Sequence, residues 1–584
     1  MTDLQQSVVA ITSALVILLA TLILRTTGSQ AERVHVAETE LRFNASLACD
    51  KARSLATRFP ERGMGADGGE AASEWIAAEM EKVGLQTERQ KFSAWIAGER
   101  IEGQNVIGID EGVRDSALAL IAHYDIPFHV REGAMDNASG VGVLLELARV
   151  FSAEEQTKKI IFIASDGEEW GMLGARHFAQ EYPAPKQIRA AISLDYVGLE
   201  NPEIVSLHGV GQFRGHVPLW LWLLAEDCVS RVGGQPRPHS LLKQYTSRAV
   251  NISSTDQGPL LSAGIPAIGF GSSRSGSPLS RKVYHTVMDT SENLRPELFD
   301  VFGRAAELLV RSIDALDYSM NNNPQYLRTG KRMYVGGSGL LIIQVLLFVP
   351  LLLATSFQYY NLRPVERSLR EALIEVANIG LFALPWIAAL GVLYALIWTN
   401  VIPRYELYPA TPLDPFLTTP HWWGISIVVV VCVAVWVAVS VVRRSLSLWG
   451  RPDFANSKAV CLDMLLTLSL VALILNGFAA SLFLAPAAIM WIWIEQSPKA
   501  GRRVLNLLLV GAAAIPLVLL TVTLSRNLML GTSVFWYMLL GVGYRFFSPP
   551  AALIAVGAAT LGGRLLQKSF VRPDTEVDVE TEDL

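Results

Sequence analysis

The stretch SALALIAHYD, residues 116–125, predicts the architecture of the first half of this chain. Its part 116–123 has the length and apolar composition of a buried strand, and it ends on His123. Two runs of the same kind, KIIFIAS at 159–165 and RAAISLD at 189–195, also end at or beside acidic residues. Because such strands alternate with amphipathic helical segments, the sequence predicts an α/β domain with one mostly buried sheet.

Residues with metal-binding chemistry lie at these predicted strand ends, where open α/β sheets form their sites. The candidates are His123, Asp125, Asp136, Glu168, Glu169, Asp195 and His285. Zinc takes imidazole and carboxylate ligands, and two metal ions about 3.5–4 Å apart can act together on one carbonyl. Two histidines and three carboxylates are enough for two zinc ions if one carboxylate bridges them. The sequence therefore predicts a two-metal hydrolytic centre with one glutamate to spare as a base.

In their order, these motifs resemble the di-zinc aminopeptidases of the bacterial leucyl aminopeptidase type, metallopeptidase family twenty-eight. The motifs are AHYD (122–125), AMDNASG (134–140), SDGEEWG (165–171), SLDYVG (193–198) and VYHTVMDT (283–290). The resemblance covers roughly residues 45–318. It implies a zinc-exopeptidase fold, with a mixed, mostly parallel central sheet and helices on both faces.

The resemblance also implies a role for each candidate residue. Asp136 would bridge the two zinc ions, with His123 and Asp195 completing one site and Glu169 and His285 the other. Glu168 would be the general base for a hydroxide held between the metals. Asp125 would hold the other ring nitrogen of His123 and so fix its orientation.

Two positions depart from the family pattern. Met135 stands where the family often has another aspartate, and Asp256-Gln257 stands where many members have Ser-Asp-His. The first position is not a ligand in the family, so metal binding is expected to survive the change. The second bears on the selection of substrate.

The composition predicts a membrane protein as well as a peptidase. The chain has 584 residues, 51% hydrophobic and only 18% charged, whereas soluble domains carry about 25% charged residues. A spanning helix needs about 20 mostly apolar residues, and we predict about nine such helices. Their apolar runs are 8–24, 338–357, 373–398, 424–442, 459–476, 478–494, 504–523, 532–547 and 550–566. Asn476-Gly477 splits the stretch 459–494, which predicts a helical hairpin.

These runs divide the chain into five predicted parts. They are an N-terminal transmembrane signal anchor at 1–30, the di-zinc peptidase domain at 31–318, a linker at 319–336, a transmembrane bundle of about eight helices at 337–567, and an acidic disordered tail at 568–584. This layout resembles the membrane-anchored endoplasmic reticulum metallopeptidases. An uncleaved anchor is favoured over a cleaved signal peptide because the segment lacks a basic start.

The distribution of Lys and Arg predicts the orientation in the membrane. The short loops 358–370, 443–458 and 495–503 are basic, and basic loops stay in the cytoplasm. The peptidase domain is then expected on the extracytoplasmic face, whether periplasmic, extracellular or lumenal. Its partners would be a peptide substrate and membrane lipid, and the net charge of −5 gives no indication of a nucleic-acid partner.

Several alternatives stay open at this point. A carboxypeptidase of the same family would grip a free carboxylate with cations such as Arg214, Arg274 or Arg281. The protein could also be a transporter or scaffold with an accessory or inactive peptidase domain. A glutaminyl cyclase relative would need only one metal, and the full ligand set argues against it. A disulfide between Cys49 and Cys228 is permitted outside the cytoplasm.

Overall fold

The computed structural model describes most of the 584 residues. The exceptions are residues 27, 184, 199–200, 273–277, 317–319, 362–364, 410–414, 447–451 and 572–584. The predicted acidic tail therefore lies mostly outside the described residues.

An eight-stranded sheet forms the centre of the first half of the chain, in the order β2-β3-β5-β4-β6-β9-β7-β8. The strands are β1 Ser29–Gln30, β2 Gln86–Ile96, β3 Glu99–Asp110, β4 Arg114–His123, β5 Lys158–Ser165, β6 Ile188–Asp195, β7 Ile204–His208, β8 Gln235–Pro236, β9 Ala267–Ser272, β10 Tyr326–Arg328 and β11 Met333–Gly336. The four central strands β5, β4, β6 and β9 are parallel, and β2, β3 and β7 pair antiparallel. The predicted mixed, mostly parallel sheet is confirmed.

Helices cover both faces of this sheet. The first helix, α1 Asp3–Thr26, packs instead against the C-terminal half of the chain. The helices of the sheet domain are α2 Ala45–Arg58, α3 Asp67–Lys82, α4 Ser139–Ser152, α5 Leu173–Glu181, α6 Leu219–Arg231, α7 Leu241–Val250, α8 Gln257–Ser262, α9 Pro278–Val283 and α10 Asp300–Asp314. Side chains alternate along a strand, so Leu118 and Leu120 of β4 pack in the core with α2, α4 and α10. Ala119 and Ile121 face the other core, which includes residues of α5 and α8.

The segment predicted as a linker contains a small sheet. Strands β10 and β11 pair as an antiparallel hairpin, and β11 also pairs with β1. Tyr326, Leu327 and Val335 are buried there, and this apolar content explains why the segment folds.

The second half of the chain is helical. Its helices are α11 Gly337–Leu346, α12 Val349–Asn361, α13 Val365–Trp398, α14 Pro415–Thr418, α15 Trp422–Leu446, α16 Phe454–Phe483, α17 Ala485–Met490, α18 Ala500–Ala513, α19 Ile515–Asn527, α20 Val534–Gly543 and α21 Pro549–Ser569. Within the described residues, six helical segments, including Asp3–Arg25, are long and apolar enough to cross a membrane. A seventh is counted if the pair Ala500–Ala513 and Ile515–Arg526, bent by 51°, is one span.

The sequence predicted about nine membrane spans, and the described residues contain six or seven. The predicted hairpin accounts for part of this difference. The backbone of Asn476 inside α16 is not helical, with φ −159° and ψ 99°, and its side-chain amide donates to the carbonyl of Arg248 at 2.9 Å. Lys458, near the start of α16, donates to the carbonyls of Ile492 and Ile494 at 2.8 Å each. The chain therefore turns at Asn476 and returns, but Pro486 limits the returning arm to short helices.

The remaining difference lies in the predicted span 532–547. Helix α20 is short, and two aromatic side chains near its two ends contact the connection between α13 and α15. The Trp536 indole donates to the carbonyl of Phe416, and the Tyr544 hydroxyl donates to the carbonyl of Pro403. In the described residues this run forms a shorter apolar helix, Gly531–Gly543, and both of its ends contact the same connection.

Candidate metal centre

The sheet brings the predicted site residues to one edge. His123 ends β4, Asp195 ends β6, and Glu168 and Glu169 follow β5 directly. These strands are neighbours in the order β5-β4-β6, and His123 pairs with Ser165 in register. Their carboxyl ends therefore meet, as the sequence predicted.

Asp136 and His285 reach this edge from two loops. Asp136 has a non-helical backbone, with φ −120° and ψ 91°, just before α4. His285 follows α9 with a positive φ of 52°. Neither residue is on a strand, so the loops determine how far each side chain reaches into the site.

Asp136 lies between the two histidines. Its Oδ1 is 3.4 Å from Nε2 of His123, and its Oδ2 is 3.1 Å from Nε2 of His285. Asp195 Oδ1 lies 3.6 Å from the same nitrogen of His123, and Glu169 Oε2 lies 3.1 Å from that of His285. The five residues thus form two triads that share Asp136.

These triads fit two metal ions. Atoms about 2.0–2.1 Å from a tetrahedral zinc lie roughly 3.3 Å from one another, close to the separations found here. Nε2 of His123 is buried and has no hydrogen-bond partner among the described residues. A buried nitrogen without a hydrogen bond is costly unless something else binds it, and a shared ion would satisfy it.

Asp125 connects one histidine with the two glutamates. Nδ1 of His123 lies 3.2 Å from the backbone oxygen of Asp125 and 3.4 Å from its Oδ1. The same carboxylate accepts from the backbone N–H of Glu168 at 3.0 Å and of Glu169 at 3.3 Å. A proton on Nδ1 leaves the lone pair of Nε2 for a metal, which agrees with the expected orienting role.

Glu168 lies at the edge of the cluster. Its Oε2 is 3.9 Å from Nε2 of His123, and 9% of its side chain is exposed. Burial, together with Glu169 and Asp195, raises the pKa of Glu168 well above its usual value, although His123 opposes the shift. A carboxylate in this position can accept a proton from a molecule in the site.

The histidines and Asp136 shift one another in opposite directions. Burial alone would lower the pKa of His285, but Glu169 and Asp136 raise it to about 9. Burial would raise the pKa of Asp136, but the two histidines lower it. The site therefore holds a concentration of negative charge that attracts cations.

Sequence reasoning missed several residues that support the site. Asp289 accepts hydrogen bonds from the backbone N–H groups of Met135 at 2.7 Å and Asp136 at 3.0 Å. Asp256 is buried and accepts from the Ser165 hydroxyl at 2.6 Å. Arg62, also buried, donates to the carbonyls of Tyr124 and Gly133 at 2.7 Å each. Two of these residues stood at positions that the sequence analysis named, although their supporting contacts were not predicted: Asp289 lies within VYHTVMDT, and Asp256 lies at a departure from the family pattern that was expected to bear on substrate selection.

Other predicted residues stand apart from the cluster. The Arg214 guanidinium donates to the carbonyl of Ser262 at 2.9 Å. Arg274 and the side chain of Arg281 lie outside the described residues. Cys49 and Cys228 are both buried and free, without the disulfide that the sequence left open.

Part of the chain is similar to known proteins. Residues 105–310 match the model of peptidase family M28. A probable zinc metalloprotease of Pyrenophora teres f. teres is 32% identical over 214 residues, covering 33% of this chain and 44% of the relative. Aminopeptidase YwaD of Bacillus subtilis is 30% identical over 204 residues, covering 33% of this chain and 41% of the relative. The chain thus spans less than half the length of these relatives.

Solved structures with a similar fold include BSAP, a zinc aminopeptidase from Bacillus subtilis, at 18% identity and a TM-score of 0.39. That match covers 47% of this chain and 96% of BSAP. A glutaminyl cyclase from Porphyromonas gingivalis matches at 20% identity and a TM-score of 0.40, over 46% of this chain and 99% of the cyclase. The stretch that matches the family M28 model, residues 105–310, contains all five motifs and all the candidate ligands.

Proposed function

We propose that this protein is a membrane-anchored, zinc-dependent aminopeptidase that removes N-terminal residues from peptides. The observation that carries the proposal is the position of Asp136, whose two carboxylate oxygens each face a different histidine. A carboxylate in this position is suited to bridge two ions. Some of the similar proteins are named aminopeptidases. These names support cleavage at the N-terminus of the peptide rather than at its C-terminus.

His123, Asp136 and Asp195 would hold one zinc ion, and Asp136, Glu169 and His285 the other. When bound, the two ions supply the Lewis acidity that activates water and polarises the peptide carbonyl. Glu168 accepts the proton of the attacking water and passes it to the leaving amine, acting first as base and then as acid. Asp125 keeps His123 in the tautomer that presents Nε2 to the site.

The arrangement of the bundle supports an extracytoplasmic position for the peptidase domain. Asn476 contacts this domain through Arg248, whereas Lys458 and Ile494 lie together at the other end of the hairpin. The 22 residues from 454 to 475 span about 33 Å as a helix, so the two ends are a membrane thickness apart. The basic residues Lys499 and Arg502 follow Ile494, at the end away from the peptidase domain.

Replacing the proposed base tests the mechanism. Glu168 also lies within reach of His123 and Glu169 in a third possible ligand group, but both triads around Asp136 are complete without it. We therefore expect Glu168→Gln to retain two metal ions per chain. Hydrolysis of aminoacyl anilides should fall at least about 100-fold, since general acid–base catalysis contributes about 10²–10⁴. Metal content is measured by mass spectrometry and turnover by anilide release.

The matched control is Glu181→Gln at the exposed end of α5, which should hydrolyse anilides like the wild type. A Glu168→Gln protein that turns over at the wild-type rate would remove Glu168 from the mechanism.

Peptides with an acetylated N-terminus distinguish an aminopeptidase from a carboxypeptidase. An aminopeptidase leaves them intact, whereas a carboxypeptidase shortens them from the other end.

A further inference from the structure

A second cavity lies beside the metal centre but contains none of the predicted ligands. Its volume is about 220 Å³, and it is enclosed by parts of β7, α6, α7 and β10. Gln257, next to the buried Asp256, forms part of the wall. The cavity therefore lies on the β7 side of the sheet, next to Asp256 and separate from the predicted ligands.

Two arginines, a lysine and two histidines lie in the wall of this cavity. Arg248 is only 4% exposed, and Lys243, Arg328, His216 and His239 line the same space. His216 stacks on Trp222 with ring centres 6.2 Å apart, and Arg248 lies over the ring of Tyr326 at 4.6 Å. The ring of Tyr326 thus packs against the Arg248 cation.

The two arginines carry donors that the protein does not use. Nε of Arg248 and Nε of Arg328 are both buried and have no hydrogen-bond partner among the described residues. Arg248 otherwise donates to the carbonyl of Gln244 at 3.1 Å and faces Nδ1 of His216 at 3.4 Å. A buried guanidinium N–H without an acceptor costs free energy, which an anion in the cavity would recover.

Negative charge is scarce around this space. No aspartate or glutamate is among the described residues that line the cavity. Glu226 pairs with Arg328 at 2.7 Å, which leaves Arg248 and Lys243 without a carboxylate in the wall. Burial and the nearby cations Lys243 and Arg328 lower the pKa of His239 to about 3, which agrees with a positive potential.

We propose that this cavity is an anion site that takes a carboxylate or phosphate group, with Arg248 and Lys243 as its principal contacts and Arg328 beside them. Guanidinium and ammonium groups form strong charge-assisted hydrogen bonds with both anions. The anion is either free or carried by the substrate. If the peptide supplies it, the inference rests on the proposed aminopeptidase function and extends it to peptides with a suitably placed carboxylate.

The site also touches the membrane bundle. The carbonyls of Arg248 and Ala249 accept from the Asn476 side chain at 2.9 and 3.3 Å, and the Arg248 guanidinium lies 6.0 Å from the ring of Phe478. The tip of the α16 hairpin therefore rests on Arg248. An anion bound to Arg248 would lie next to this tip.

Inorganic phosphate is the first probe, titrated calorimetrically into the full-length protein in detergent. We expect Lys243→Gln and Arg248→Met each to weaken phosphate binding about tenfold, the usual effect of losing one charge-assisted hydrogen bond. Arg304→Met is the matched control, because Arg304 is exposed on α10 and pairs with Asp300. Lys243 is exposed, so its variant should fold even if Arg248→Met does not.

The second probe is a peptide with a free C-terminal carboxylate, compared with the same peptide as its amide. If the substrate supplies the anion, Lys243→Gln raises the KM of the acid and leaves that of the amide unchanged. Phosphate bound only at the metal centre would be equally tight in both cavity variants. That result, together with unchanged acid-to-amide KM ratios, would overturn the anion site. The phosphate titration needs no turnover, so it still tests the cavity if Glu168→Gln disproves the peptidase mechanism.

Discussion

Asp289 fixes the residue that connects the two halves of the metal centre. Its two carboxylate oxygens accept from the consecutive backbone N–H groups of Met135 and Asp136. Asp289 is 1% exposed, and burial raises its pKa to about 7, with Asp136 contributing in the same direction. The orientation of the Asp136 side chain between the histidines therefore depends on a residue that touches neither of them.

Removing this support should weaken metal binding without removing a ligand. We expect Asp289→Ala to lower the metal affinity about 10–100-fold, the usual effect of losing a group that orients a ligand. Titration with metal buffers measures the affinity. Asp300→Ala, at the half-buried start of α10, is the control, and equal affinities in the two variants would contradict the positioning role.

The candidate ligands could be predicted because their residue types and chain order form a pattern. The contacts of Asp289, Asp256 and Arg62 could not, for a physical reason. Their partners are backbone groups or a serine hydroxyl, and such contacts impose no spacing on the sequence. A buried charge that binds a distant backbone looks, in a sequence, like any surface charge.

At the scale of elements, the strands were predictable and the membrane segments only in part. β4, β5 and β6 are continuous apolar runs because helices cover both faces of the sheet. In the bundle, Pro486 and Pro516 lie at the starts of α17 and α19, so apolar runs that look continuous in sequence become short or bent helices. A hydropathy profile shows how long an apolar run is, but it does not show where the helix breaks.

Helices α13 and α21 are joined by an ion pair that the sequence did not reveal. Arg564 donates through Nε and Nη2 to the two carboxylate oxygens of Glu375 at 2.6 and 2.7 Å. The side chains are 6% and 0% exposed. In the sequence each charge stands alone within or beside an apolar run, and its partner is 189 residues away.

Replacing one partner of this ion pair should destabilise the bundle more than replacing both partners. We expect Glu375→Met to cost about 3–5 kcal/mol, because Arg564 stays buried without its partner, whereas Glu375→Met with Arg564→Met costs much less. Thermal and denaturant unfolding in mild detergent compare the three proteins. A double variant that is less stable than Glu375→Met would contradict this account.

At the scale of the whole molecule, the peptidase domain rests on the bundle beside its metal centre. Trp170, adjacent to Glu169, lies 6.5 Å from the ring of Tyr405. The backbone of Glu406 donates to the carbonyl of Trp95, and Gly98 donates to that of Arg404. The connection between α13 and α15 thus contacts the peptidase domain directly beside Glu169. These contacts join residues more than 200 positions apart in the chain. They produce no periodic pattern in the sequence, so the sequence could not predict them.

This arrangement makes the membrane orientation testable with single cysteines. The connection between β3 and β4 is remote from the bundle in sequence, and its Val113 is 70% exposed, so Val113→Cys should react freely. Lys499, at the opposite end of the returning hairpin arm, is also exposed. Of the native cysteines, Cys49, Cys228 and Cys461 are buried and Cys432 is half-buried.

In sealed right-side-out vesicles, a membrane-impermeant maleimide should label Val113→Cys at once and Lys499→Cys only after detergent is added. The reason is that basic loops stay in the cytoplasm, and Lys499 and Arg502 are at the end away from the peptidase domain. The wild-type protein gives the background from Cys432. Labelling of Lys499→Cys before detergent, with Val113→Cys protected, would place the metal centre in the cytoplasm and reverse the proposed orientation.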